Sequence, residues 1–152
     1  MYGLTEEFND FITNWKTWVI LNGGTMNDER DFDDIPKGSM NNIADGLQKN
    51  DIMFSYFLEP DLNNGLSALC FICDERVFNR KDYPDFVDEI INTSGQNVGD
   101  EDYNPIWCVL TRSKSIDELI EQYPMKYKSW VRNVGGVKNV FLRDLIKGKK
   151  LA

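Results

Sequence analysis

The stretch from Asp51 to Cys73, DIMFSYFLEPDLNNGLSALCFIC, limits the fold more than any other. Two runs of strand length, rich in aromatic and aliphatic side chains, flank a turn of about seven residues, which is short enough to make them antiparallel neighbours. Pro60 fixes one backbone torsion, and Asn63, Asn64 and Gly65 tolerate left-handed conformations, so the chain reverses there for local reasons. A turn has no need of two carboxylates. Glu59 and Asp61, with Asn63 and Ser67, therefore form a candidate polar site able to receive a hydroxyl, an amine or an arginine.

Around this hairpin the hydrophobic period alternates between helix and strand. Leu4, Phe8, Phe11, Ile12 and Trp15 recur at helical spacing behind Thr5, predicting a helix over 5–15. KTWVILN (16–22) has the composition of a buried strand and ends at Gly23-Gly24. Ser39 reads as the N-cap of a helix carrying Met40, Ile43, Ala44 and Leu47 on one face. Residues 74–92 read as mainly helical, with Pro84 in the first turn and Phe86, Val87, Ile90 and Ile91 as the buried stripe. Ile106–Thr111 reads as a further strand. Ser115 and Glu118 form a capping box ahead of another helix; Pro124 starts the next, and a last one runs from Val137 to Lys147 with its basic residues outward. Segments 25–37 and 92–105 hold turn formers and acids with little to bury, and read as flexible loops, the second of them disordered or ligand-responsive. The sum is a single α/β domain, or α+β, in which helices cover a small mixed four-stranded sheet.

Composition excludes much chemistry. The 152 residues contain no histidine, which removes Ser-His-Asp and Cys-His nucleophile systems and HExxH metalloproteases. Gly-rich phosphate loops and internal repeats are missing. Cys70, Cys73 and Cys108 are odd in number and sit in apolar runs, as expected of reduced, buried thiols. The CxxC pair lies in a strand, where positions three apart face opposite ways, so no metal and no cofactor is expected. No run approaches the roughly 18 apolar residues of a membrane span, and the start, MYGLTEEFND, is acidic where a secretory signal is basic, implying a cytoplasmic protein away from membranes.

The charge is uneven. Residues 1–105 hold 21 acidic and 7 basic residues, a balance of −14, whereas residues 106–152 hold 4 and 10, a balance of +6. The acidic part suits a partner with a basic surface, and nucleic acid is attracted only by the C-terminal part. There Arg112, Lys114, Lys126, Lys128 and Arg132 interleave with Tyr123, Tyr127 and Trp130, a mixture suited to nucleotide stacking and phosphate contact. Lys37 and Ser39, at a helix start, are a candidate anion site.

The succession KTWVILN, SMNNIADGLQKN, DIMFSYF and EPDLNNGLSALCF resembles the second half of phage-borne proteins of the type-2 peptidyl-tRNA hydrolase family, and FLRDLIKGKKLA looks like their tails. The resemblance covers roughly residues 16–76 and the last dozen. It places Asp61, or Glu59, and Ser67 near the family's turn acid and following threonine. The family's hydrolysis depends on a lysine, and usually a glutamine and histidine, in a front segment of GKxxAQxxHA type; the 15 residues before KTWVILN contain neither lysine nor histidine. The resemblance thus implies a scaffold without its catalytic half. The leading expectation is a non-catalytic binding protein of phage type that inhibits or sequesters a host protein with a basic surface or a small nucleotide-like ligand. The alternatives are a hydrolase of peptidyl-tRNA or another nucleotide-linked substrate, using Asp61, Glu59 and Ser67, and a structural or assembly protein.

Overall fold

The computed structural model describes residues 6–15, 18–26, 38–94 and 104–152. The chain divides into two compact units, Met1–Asp74 with Phe141–Ala152, and Glu75–Val140. Among the described residues there are seven α-helices and one two-stranded antiparallel sheet, a mixed α/β composition dominated by helix.

In the first unit, α1 (Glu6–Asp10) continues as a π-helical turn over Phe11–Trp15, so the helical period read at the N-terminus holds over its described part. Phe8 and Ile12 remain more than a third exposed, and Phe11 meets the Trp18 ring edge-on at 5.7 Å. The buried strand expected at 16–22 is not found. Leu21 forms one isolated antiparallel bridge with Leu151, flanked by bonds from Asn22 N–H to the Lys150 carbonyl and from Ala152 N–H to the Ile20 carbonyl. Trp18, Val19 and Ile20 are 59–69% exposed. A strand composition becomes a buried strand only when neighbours pair along it, and here the pairing extends over three residues of the tail.

α2 (Ser39–Lys49) begins where foreseen, but Ser39 is not its cap. Gly38 occupies that position without a side-chain bond, and Thr25 takes over from 14 residues away. Its carbonyl accepts the Met40 N–H at 2.9 Å, while the Ser39 hydroxyl accepts the Thr25 N–H at 2.7 Å and donates to the Gly23 carbonyl at 2.8 Å. Only glycine fits this crossing: a Cβ on Gly38 would lie 2.5 Å from the Thr25 carbonyl oxygen, and one on Gly24 2.1 Å from Ser39 Oγ. At the other end Asn50 Nδ2 donates to the Gly46 carbonyl, and Asp51 turns the chain at a φ of 55° into the hairpin.

The hairpin forms as predicted: β1 (Phe54–Glu59) and β2 (Gly65–Phe71) are antiparallel, joined by a 3₁₀ turn over Pro60–Leu62. Phe57 pairs with Ala68 but Leu58 with Leu66, so Ser67 is the extra residue of a β-bulge. Phe54, Tyr56 and Leu58 thus share a face with Phe71, Leu69 and Leu66, while Ser55, Phe57, Ala68 and Cys70 form the other. α2 lies against β2, and Leu47 and Leu66 are buried at 0% and 4% exposure.

The second unit is helical. Asp85 pairs with Arg80 at 2.7 Å and so gives no side-chain cap to α3 (Phe86–Thr93), although it holds the N-cap position. Pro84 sits ahead of this helix rather than in its first turn. The strand expected at 106–111 is instead α4 (Pro105–Ser113), because Asn104 Oδ1 accepts the N–H groups of Ile106 and Trp107 and Pro105 takes the first helical position. Cys108 and Thr111, three apart, are its buried residues. The capping box of Ser115 and Glu118 is present at the start of α5 (Ile116–Gln122), followed by α6 (Pro124–Asn133) and α7 (Val137–Ile146), of which only Val137–Val140 belong to this unit. Phe86, Ile90, Leu119, Trp130 and Val134 form the core, each contributing about 2 kcal/mol by leaving water.

Two of the four expected strands are therefore absent among the described residues, and a two-stranded sheet replaces the four-stranded one. The basic residues of α7 do not all face outward: Arg143, in the first unit, is 1% exposed. Most of the loops expected at 25–37 and 92–105 lies outside the described residues.

Gly135 and Gly136 link α6 to α7 at φ of 101° and 102°. Gly136→Ala is expected to lower stability by about 1–2 kcal/mol through backbone strain alone. Gly135→Ala should cost clearly more, since its methyl would also lie 2.2 Å from Asn139 Nδ2 and 2.9 Å from Arg76 Cζ. Equal losses in chemical denaturation would show that these neighbours yield freely. Asn104→Ala should cost about 1 kcal/mol, read the same way, and no loss would remove the cap as the reason α4 is a helix.

Candidate functional site

The acidic turn is built by its backbone. Glu59, half-buried, closes β1 opposite Gly65, and Pro60, Asp61 and Leu62 make one 3₁₀ turn. Asn63 and Asn64 adopt left-handed conformations at φ of 51° and 55°, as anticipated. Gly65 does not share that role; it is buried as the first residue of β2. Asp61, Asn63 and Asn64 are exposed. The exposed Ser67 hydroxyl donates weakly, at 3.4 Å, to the Phe57 carbonyl across the bulge. The hairpin thus gathers Glu59, Asp61, Asn63 and Ser67 at one end, with Asp61 facing solvent and Ser67 serving the bulge.

What the sequence reading missed is the hairpin's surface. From Asp51 to Asp74 the chain carries four carboxylates, Asp51, Glu59, Asp61 and Asp74, and no lysine or arginine. Between them Met53 is 74% exposed, Phe57 54%, Tyr56 53% and Leu62 47%. Met53 and Phe57 stand on the side of β1 away from Leu58, in phase with the exposed Ala68 and Cys70 of β2. The signal was available: β1 is apolar at consecutive positions, so a two-stranded sheet buried on one face must leave some of them in water.

The basic and aromatic residues of the second unit are largely engaged with one another. Arg112 pairs with Asp88, joining α4 to α3. Lys126 lies over the Tyr123 ring at 5.6 Å and its ammonium reaches Thr93 Oγ1 at 3.4 Å. Trp130, 7% exposed, donates its indole N–H to the Pro84 carbonyl at 2.9 Å and stacks on Tyr127 with centroids 5.7 Å apart. Its faces are spent on the core, so it offers no platform to a nucleotide base. Lys128 and Arg132 remain exposed on α6. Of the anion site, Lys37 lies outside the described residues, and the N–H groups of Ser39 and Met40 are bonded by Thr25 Oγ1 and the Thr25 carbonyl.

The thiols do not behave alike. Cys108 is buried in α4, Cys73 is half-buried beyond the end of β2, and Cys70 is exposed on β2, contrary to expectation. Burial pushes the Cys73 thiol above its ordinary range, and the Asp74 charge adds to the shift. Among the described residues no three His, Cys, Asp or Glu side chains gather as a metal site would require. No helix among them is long and apolar enough to cross a membrane. The chain matches no family model, no curated protein and no solved structure.

Alkylation kinetics near pH 8 should show Cys70 reacting first and Cys73 more slowly, since Cys70 is exposed while burial and the Asp74 charge hold the Cys73 thiol protonated. A raised thiol pKa means the folded state holds its proton longer than the unfolded chain. Its stabilising contribution is present below about pH 9.0 and is lost as pH climbs through the folded value. Cys73→Ala should flatten that decline in stability, and an unchanged decline would assign it to other groups.

Proposed function

We propose that the protein is a non-catalytic binding protein that captures a partner protein with a basic surface through its first unit, inhibiting or sequestering it. The observation that carries this reading is the exposure of Met53 and Phe57 on one face of the hairpin and of Leu62 at its turn, in a stretch from Asp51 to Asp74 whose sequence holds four carboxylates and no lysine or arginine. Exposed apolar groups in an acidic stretch suit a complementary protein surface, the apolar part giving affinity and the charge giving steering and selectivity.

The arrangement gives less support to catalysis by the turn. General base work needs a carboxylate held against the proton it removes, in a site from which water is partly excluded. Asp61 faces solvent, and the Ser67 hydroxyl is directed to a backbone carbonyl. A nucleotide-like ligand is less favoured for a matching reason, since Trp130 is buried and hydrogen-bonded while Lys126 and Arg112 have partners within their own unit.

Affinity capture from host lysate should recover a basic protein at stoichiometric level, released by salt and strongly depleted with the variant Phe57→Ser, Glu59→Gln, Asp61→Asn. Recovery of nucleotide instead of protein would overturn the reading. So would hydrolysis of peptidyl-tRNA that Asp61→Asn abolishes while the protein stays folded.

A further inference from the structure

The bridge between Leu21 and Leu151 brings two exposed apolar segments of the first unit together. Asn22 and Lys150 are bonded at one end of this short antiparallel pairing and Ile20 and Ala152 at the other, and the chain runs on beyond Ile20 through Val19 and Trp18. Leu151 is 75% exposed, Trp18 69%, Ile20 68% and Val19 59%. Backbone bonds of 2.9 and 3.1 Å hold the pair, and the ring contact with Phe11 positions Trp18. Cations enter at the opposite end. Lys147 and Lys150 are exposed and Lys149 is partly so. Asp144 is the one carboxylate in the sequence from Phe141 to Leu151, and Phe11 to Thr25 holds none.

Three consecutive side chains, each more than half in water, restrict what can cover them. Neighbouring positions diverge by about 100° in a helix and 180° in a strand, so Trp18, Val19 and Ile20 do not lie together on the flat face of a folded partner. A fluid phase receives side chains on every side of a segment. We propose that this corner of the first unit is an attachment site for an anionic lipid surface. Trp18, Val19, Ile20 and Leu151 enter the layer between headgroups and acyl chains, and Lys147, Lys149 and Lys150 meet the anionic headgroups. Tryptophan suits that layer, because its ring is apolar and its indole N–H can donate to a headgroup. Branched aliphatic side chains do not stack on bases, which sets the site apart from a platform for single-stranded nucleic acid. The net charge of −8 opposes approach to such a surface, but at physiological salt charges more than about 8 Å away are largely screened, so the lysines at the contact prevail. The lack of a spanning run bears on crossing a bilayer and not on lying at its surface. The attachment goes beyond the partner capture proposed above and shares no residue with it.

The test is co-sedimentation of the full chain with vesicles of phosphatidylcholine containing about one third phosphatidylserine, compared with vesicles of phosphatidylcholine alone. The anionic vesicles should bind the protein, shift its tryptophan emission to the blue and, when doped with lipid spin-labelled near the headgroup, quench it; Trp18→Phe should remove most of the quenching. The triple variant Lys147→Gln, Lys149→Gln, Lys150→Gln should lower the partition coefficient about a hundredfold, at about fivefold per lysine. Val19→Ser, Ile20→Ser, Leu151→Ser should lower it about tenfold or more with the thermal midpoint unchanged, since these side chains are already in water. Inorganic phosphate should displace no more protein than sodium chloride of equal ionic strength. Greater displacement by phosphate would assign the lysines to a free-phosphate site and overturn the proposal. So would failure to bind anionic vesicles, equal binding to both vesicles, binding that survives either triple variant, or quenching that persists in Trp18→Phe. A doubled mass in sedimentation, or a stoichiometric protein from lysate, that disappears with the serine variant while vesicles are not bound would give the patch to a second copy or to a protein partner and overturn it as well. Loss of protein capture through the hairpin would leave vesicle binding standing, and the reverse holds equally.

Discussion

One extra residue decides which side of the hairpin stays dry. Without a bulge, the strand alternation that places Leu69 and Phe71 against the body of the first unit would turn Ser67 inward and Leu66 outward. With Ser67 inserted, Leu66 pairs with Leu58 and is buried, and the serine sits outside with its hydroxyl on the neighbouring carbonyl. The same insertion sets where regular pairing can resume along β2, at Ala68. The burial of Leu66 and the exposure of Ser67 are consequences of a single change of phase.

In the second unit the decisive arrangement is aromatic. Trp130 has Phe86 and Tyr127 as ring neighbours, with centroids 5.7 Å away in each case, and its one donor is satisfied by Pro84. A buried indole without that acceptor would carry a desolvation cost of about 1–3 kcal/mol, so the position of Pro84 ahead of α3 is coupled to the packing of α6. Helix α6 consequently turns its aromatic residues to the core and its Lys128 and Arg132 to water. Interleaving of bases and aromatic rings in a sequence looks the same whether the rings stack on a ligand or on one another. Helical spacing is what separates the cases, and here it favours the core.

Legibility followed the range of the interactions. The hairpin, the left-handed Asn63 and Asn64, the capping box of Ser115 and the stripe of Phe86 and Ile90 rest on residues within one turn or one tight reversal, and all were readable. α4 was also local, but its Asn104-Pro105 start was outweighed by an apolar run of strand-like composition. The cap that Thr25 gives α2 spans 14 residues and leaves no pattern to read. The segment 18–22 failed for the opposite reason: its composition was read correctly, but its pairing is a property of the chain's other end. At the candidate site the acidic residues were identifiable one by one. The absence of any cation from Asp51 to Asp74 was equally plain in the sequence, yet it gains meaning only once the strands between those acids are known to be exposed.

An isolated two-stranded hairpin is at best marginally stable in water, and this one depends on the packing of α2 to persist. That packing closes on Leu47 of α2 and Leu66 of β2, buried at 0% and 4% exposure. Ala68, Cys70 and Phe57, on the other face, remain in water and add nothing to that packing, so the hairpin is secured from one side alone.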